Sequence, residues 1–258
     1  MRRRRFAQIF QSGISKQQSS SWQKLASLPE DAFEREIKSI VRPSTIGIMR
    51  AADKEQRKTE RHENLPEDSC RLSDLAALVN RGRKFGCIYA DPPWLYDNQS
   101  TRAATSNHYE GMTIDELCAL PIRELAADDA HLHLWTTNGF LFECPKIFEA
   151  WGFEFRSSFI WAKPQMGIGN YWRNSHEFLL TAIRGDAKRF NDKSLMSWLE
   201  CDRGAHSAKP ERVRHMIEGA SPGPRLELFG RNGVHGWAVW GNEVGSDLLN
   251  QSIEEIFV

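Results

Sequence analysis

The chain lacks the patterns that most readily assign a protein of its size. Its five cysteines, Cys70, Cys87, Cys118, Cys144 and Cys201, include no C-x-x-C pair and are odd in number. That argues against a zinc site or a disulfide framework and favours a reducing, intracellular setting. No apolar run approaches the ~20 residues of a membrane span, so no membrane partner is expected. No apolar h-region follows the N-terminus, as a secretory signal would require. There is no internal repeat and no G-x-G-x-x-G dinucleotide fingerprint. Net charge over the 258 residues is zero, so the chain as a whole is not a generic polyanion binder.

Charge is nevertheless uneven along the chain. Residues 1–29 carry Arg2 to Arg5, Lys16 and Lys24, with no acid before Glu30. This reads as a basic, disordered tail; a nucleic-acid-touching arm and an organelle transit peptide are the alternatives. Residues 30–66 read as a helical extension or linker. Ala32, Phe33, Ile37 and Ile40 share one helical face, Pro43 breaks the pattern, and Ser44 caps a second helix running to about Glu63. A linker, a dimer contact and a DNA-directed module all remain open for it.

What is present begins near Cys70. Hydrophobic residues make up 40% of the chain, enough for a real core, and residues 67–250 alternate between helix and strand signals. Leu72 to Val79 reads as a helix, and Phe85 to Ala90 as a buried strand. Helical periodicity returns at Ile114 to Leu120, Leu141 to Trp151 and Pro210 to Glu218. Strands are expected at Ala130 to Trp135, Phe155 to Trp161, Glu177 to Ile183, Arg225 to Phe229 and Trp237 to Gly241. Such alternation predicts an α/β fold, a mostly parallel sheet with helices on both faces.

The strand at Phe85 to Ala90 runs straight into Asp91-Pro92-Pro93-Trp94. Two prolines end a central strand, so the motif sits just past a C-terminal strand edge, where open α/β sheets place ligands. Its chemistry suits methylation of a base amino group. An exocyclic amine is a poor nucleophile because its lone pair is delocalised into the ring. Asp91 can accept from the amino hydrogens, and the Pro92 carbonyl can accept a second one. Pro92 and Pro93 hold those acceptors rigid, and Trp94 offers a flat face to an extruded base. Positioning and electrostatics then supply the acceleration. The four letters alone fit a proline turn with a buried Trp equally well.

The segments downstream narrow this. Tyr109-Glu110-Gly111-Met112-Thr113, His133-Leu134-Trp135, Ile160-Trp161-Ala162-Lys163, Glu177, Arg184-Gly185, Ser207-Ala208-Lys209-Pro210, Glu227-Leu228-Phe229-Gly230-Arg231 and Gly241-Asn242 follow in order. With Asp91 to Trp94, they resemble the adenine-N6 methyltransferase family of the eukaryotic mRNA methyltransferase catalytic subunit, the MT-A-seventy family, over about residues 70–245. The resemblance implies a Rossmann-like fold and S-adenosyl-L-methionine as cofactor. It assigns Tyr109 and Lys163, with Trp94, to the target adenine, and Asp91, Lys209, Arg231, Asn242 and Glu243 to the cofactor. Leu72, Glu227, Phe229 and His235 join the cofactor set by position. Residue chemistry agrees: Lys209 can pair with a carboxylate, and Asn242 can donate to and accept from ribose hydroxyls. Glu227 could face the cofactor or pair with Arg231.

Two positions depart from the family. Glu243 stands where relatives have Gln, which removes the amide donors. Cys70-Arg71 stands where relatives often have an acid that reads the cofactor's adenine; a backbone carbonyl near Leu72, Asp68 or Asp74 is the substitute expected. Other candidates have plainer readings. His131 and His133 share a strand face but lack a third metal ligand, so no metal is assigned. His206 reads as an ordinary loop residue. Tyr171-Trp172 fits either a nucleic-acid stacking cluster or a packed loop, and Arg102, Arg173 and Arg189 fit phosphate contacts or plain surface. The function expected is methylation of adenine N6 in DNA. RNA is the alternative substrate, and a catalytically silent binding partner of the same fold is the alternative class. Nucleic acid is the expected partner, with a homodimer or paired subunit open, in the cytoplasm of a bacterial or phage-infected cell.

Overall fold

A computed structural model of the chain describes residues 69–95, 111–167, 169, 171–187, 190, 192–204 and 208–257, together with Gln23. The chain divides into two units, Met1–Pro66 and Glu67–Val258. The expectations for the basic tail and the helical extension lie outside the described residues, as do those for Asp68, Arg102, Tyr109, Arg189 and His206.

The second unit is built on a seven-stranded sheet: β1 (Phe85–Ala90), β2 (Ala126–Thr136), β3 (Glu154–Ala162), β4 (His176–Arg184), β5 (Trp198–Glu200), β6 (Arg225–Leu228) and β7 (Ala238–Trp240). Their order across the sheet is β5-β3-β4-β2-β1-β6-β7. β1 lies at the centre of the parallel part, flanked by β2 and β6, and β7 continues it. β4 pairs antiparallel to both β2 and β3. The sheet is therefore mostly parallel with one reversed strand, a Rossmann-like arrangement. β3 and β4, the successive strands expected at Phe155 to Trp161 and Glu177 to Ile183, follow one another as an antiparallel hairpin. Periodicity reports a strand but not its direction.

β1 is buried at all six positions, as a strand covered on both faces must be. The helices are α1 (Leu72–Asn80), α2 (Ile114–Cys118), α3 (Ile122–Leu125), α4 (Cys144–Trp151), α5 (Glu211–Ala220) and α6 (Ser246–Ile256). α5 covers one face: Val213, Met216 and Ile217 line the same space as His133, Phe159 and Thr181. α4 covers the other, where Phe148 stacks on Phe155 of β3 at 6.2 Å. Pro145 in its first turn makes α4 start later than the predicted Leu141. Gly152 ends it in the left-handed region at φ 78°, which glycine tolerates.

α6, which the sequence reading did not predict, packs against β7. It carries Leu249 and Ile253 on its buried face. Fully buried tryptophans at positions 135, 151, 161 and 237 dominate the core. Each indole N–H is satisfied, by Tyr89 Oη, the Leu117 carbonyl, the Cys201 carbonyl and Glu218 Oε1 respectively. That removes the penalty of burying an unpaired donor.

Candidate active site

The C-terminal ends of β1, β3 and β6 point to one edge of the sheet, and the reversed β4 brings its N-terminal end there too. Asp91 directly follows β1, and its backbone N–H still reaches the Leu228 carbonyl of β6 at 3.5 Å. Pro92 and Pro93 offer no N–H, so the ladder stops and the chain turns away. It is caught again by Met112, whose N–H donates to the Pro93 carbonyl while its carbonyl accepts from Leu95. Thr113 then starts α2 in a reciprocal capping box with Glu116. The Asp91–Trp94 motif is thus clamped at both ends. Trp94 is half-buried, and one of its faces is taken by Phe140, stacked at 4.8 Å and 19°.

Four charged side chains line up across this edge. Lys209, which precedes α5 by one proline, donates to Asp91 Oδ2 at 2.5 Å and lies 3.4 Å from Glu177 Oε2. Glu177 also pairs with Lys163. Lys163 in turn sits over the Trp161 ring, 4.2 Å from its centroid. The order Asp91, Lys209, Glu177, Lys163 alternates in sign and runs from the motif to the β3–β4 hairpin. Burial opposes the charge on Lys209, yet Asp91 and Glu177 outweigh it and raise its pKa. Burial likewise opposes the charge on Glu177, but Lys209 and Lys163 prevail and its pKa falls. At Lys163 burial wins over its single carboxylate partner, and its pKa is lowered.

A second carboxylate lies beside Asp91. Glu227 on β6 is 8% exposed. It accepts from Arg214 Nη2 of α5 at 2.9 Å, so its partner is not Arg231. Its other oxygen, Oε2, is buried without a protein partner. Burial, with Asp91 adding to it against Arg214, pushes Glu227 up to about 7. Such a shifted, buried carboxyl makes Glu227 a candidate functional position. Past it, Phe229 adopts φ 67°, a left-handed conformation uncommon for a bulky residue. Gly230 and Gly241 then pass so closely that a Cβ on Gly241 would lie 2.0 Å from the Gly230 carbonyl oxygen. Gly241 must be glycine for the ends of β6 and β7 to meet here, and a Cβ on Gly230 would lie 2.2 Å from Val239 Cγ1.

The remaining predicted residues surround the same two strand ends. Arg231 lies 3.8 Å from Glu243, both side chains partly exposed. Asn242 and His235 are exposed. Leu72 is half-exposed at the start of α1. α1 is tied to this edge by the Trp240 indole donating to the Arg71 carbonyl and by Cys70 N–H donating to Val244. Asp74 is occupied as the reciprocal cap of α1, accepting from Arg71 N–H at 2.6 Å. Glu177 as the link between Lys209 and Lys163, and Arg214 as the partner of Glu227, were not assigned from sequence. The signal for Glu177 was a lone acid opening an apolar strand; for Arg214 there was none.

A family model described as MT-A70 matches residues 85–243. The chain belongs to the MT-A70 family. It is similar to the type II methyltransferase M.MunI of a Mycoplasma species, 31% identical over 63% of this chain and 78% of that protein. It is 29% identical to mouse METTL4, an N(6)-adenine-specific methyltransferase, over 69% of this chain and 42% of that protein. The human N(6)-adenosine-methyltransferase catalytic subunit METTL3 is 31% identical over 66% of this chain and 30% of that protein. The chain therefore spans less than half the length of these two eukaryotic relatives.

MT-A70 enzymes are S-adenosylmethionine-dependent adenine-N6 methyltransferases, and the residues present fit that cofactor. A sulfonium and an ammonium call for carboxylate neighbours, and Asp91 and the unpartnered Glu227 Oε2 would supply them. When bound, the cofactor supplies an electrophilic methyl group. Lys209 holds Oδ2 of Asp91, which leaves Oδ1 to accept from an amino hydrogen. The histidines on β2 serve the core instead. His131 Nδ1 and His133 Nε2 both lie 2.9 Å from Ser221 Oγ. Among the described residues no cluster of three His, Cys, Asp or Glu is placed to hold a metal.

Proposed function

We propose that this MT-A70 protein transfers a methyl group to N6 of adenine in DNA, with Asp91 and Pro92 positioning the amino group, Trp94 bounding the base and Lys163 near it. The observation that carries the chemistry is the row Asp91–Lys209–Glu177–Lys163. It joins the amino-clamping motif to the hairpin that would meet the base, beside the strand ends where the cofactor fits. Tyr109 is assigned to the same base on the family pattern.

For the polymer, the supporting observation is coverage. The match to the type II methyltransferase takes in 78% of that protein. We read "type II" in its restriction–modification sense, which favours DNA as the substrate here. RNA is the second reading, favoured by 30% identity to the N6-methyladenosine RNA methyltransferase MTA1 of Pyricularia oryzae. The intact row of charges argues against a silent partner.

The test is transfer of labelled methyl from S-adenosylmethionine to DNA and RNA oligonucleotides carrying one adenine. Asp91→Ala serves as control. Label on DNA N6 that vanishes in the folded variant is expected. Label on RNA alone would replace the polymer, and full activity of Asp91→Ala would overturn the assigned role.

A further inference from the structure

β3 and β4 are joined by residues 163–175, an arch standing on the edge that carries Asp91. Its base is closed by Lys163 N–H donating to Ser175 and Gly167 N–H donating to Asn174. It is hooked to the catalytic motif by Asn138, whose side-chain amide donates to Asn174 Oδ1 at 3.1 Å. Asn138 lies in the turn that also supplies Phe140, the ring stacked on Trp94. The crown of the arch presents two consecutive aromatic side chains to solvent, Tyr171 at 97% and Trp172 at 88% exposure. They are therefore not part of a packed loop, one of the two sequence readings.

The surroundings are cationic. Arg173 is exposed beside them. The Arg203 guanidinium lies against the arch, with Nη2 3.0 Å from where a Cβ on Gly167 would stand. Of the nearby acids, Asp202 already accepts from Gln165 at 2.6 Å. Flat rings at full exposure, on an arch that carries Arg173 and is touched by Arg203 and contiguous with the proposed base-modifying centre, match single-stranded nucleic acid better than a protein or a lipid surface. A base stacks on an aromatic face whatever its identity, and arginine neutralises the phosphates on either side.

We propose that Tyr171 and Trp172 form a stacking platform for an unpaired nucleotide neighbouring the target adenine, with Arg173 and Arg203 on its phosphates. This rests on the nucleic-acid reading of the active site and adds a subsite to it. The platform would hold the strand open after the adenine leaves the stack and would fix which flanking nucleotide is gripped.

The test uses the full chain and two substrates: fluorescein-labelled oligothymidylate for binding, and a single-stranded oligonucleotide with one adenine for turnover. Trp172→Ala should weaken oligothymidylate binding about tenfold, and Trp172→Phe should restore most of it. KM for the adenine oligonucleotide should rise by a similar factor while kcat changes less than twofold. Arg173→Gln should lower the salt slope of binding by about 0.7. Thermal unfolding of the variants should match the wild type. Unchanged binding and KM in both Trp172→Ala and Tyr171→Ala would overturn the platform while leaving the methyltransferase reading intact. Oligothymidylate binding lost in Trp172→Ala, from a chain that methylates no polymer, would support the platform and sink the proposed function. Absence of any binding by the wild type would overturn the platform, as would a chain that self-associates through these residues and becomes monomeric in Trp172→Ala.

Discussion

Replacing Glu227 with Gln should make the protein more stable and less able to bind its cofactor. The carboxyl rises from its ordinary 4.5 to about 7 in the folded chain. Above pH 4.5 the unfolded chain releases a proton that the folded chain keeps until about pH 7. Folding is thus penalised progressively between those values, and the penalty levels off above the upper one. Integrated, a shift of that size is ~3 kcal/mol at pH 8 and under ~1 kcal/mol at pH 5. Glutamine escapes this ionisation term and can still accept from Arg214. Its amide NH2 would occupy the place of the unpartnered Oε2, which offsets ~1 kcal/mol. A net gain of ~2 kcal/mol at pH 8, shrinking to about zero at pH 5, is expected from urea unfolding of the full chain. Calorimetric titration with S-adenosylhomocysteine should show weaker binding in the same variant. A variant no more stable than wild type at pH 8, or one with the same gain at both pH values, would refute the reasoning.

Lys209→Met leaves Asp91 and Glu177 without their shared cation. Stability should fall by ~1–3 kcal/mol, the lower end reflecting the exposure of Asp91. S-adenosylhomocysteine affinity should drop about tenfold or more; unchanged affinity would mean the lysine is purely structural. His133 is held down to about 3 by burial and by His131. The folded chain therefore refuses a proton that the unfolded chain takes below about pH 6.5, and stability is lost as pH falls through that window. Between pH 7.5 and 5.5 the wild type should lose ~1.4 kcal/mol more than His133→Phe, and parallel pH profiles in chemical denaturation would contradict this.

The parallel core was legible because β1 is a short apolar run that ends on two prolines, and both features are local. β2 was read only from Ala130. Its first residues include the exposed Asp128 and Asp129, whose polarity hides the strand although Ala126 still pairs with Phe85. Asp129 is needed where it stands, since it accepts from the Asp186 N–H in the turn after β4 at 2.7 Å. β5 went unread because three residues with Trp198 half-exposed carry no periodicity. Asp91 and Lys209 could be named from motif pattern. The link from Lys209 through Glu177 to Lys163 could not, because it depends on β4 running backwards, and direction is set by tertiary pairing. Arg214 looked like any surface-helix arginine until α5 was placed over Tyr89, with its guanidinium 6.0 Å from that ring.

The reversal of β4 has a practical consequence. Lys163 and Glu177 stand at the two feet of one hairpin, and the aromatic crown stands between them. The arch between them is one contiguous stretch of sequence, closed at its base by its own short-range pairing. The cofactor side is assembled from the ends of β1, β6 and β7 and the approach to α5, segments far apart in the chain. The hairpin's share of the proposed substrate face is thus encoded apart from the proposed cofactor face. An exchange of the hairpin would have to keep the partner of Asn138 at Asn174 and the lysine and glutamate at the two feet.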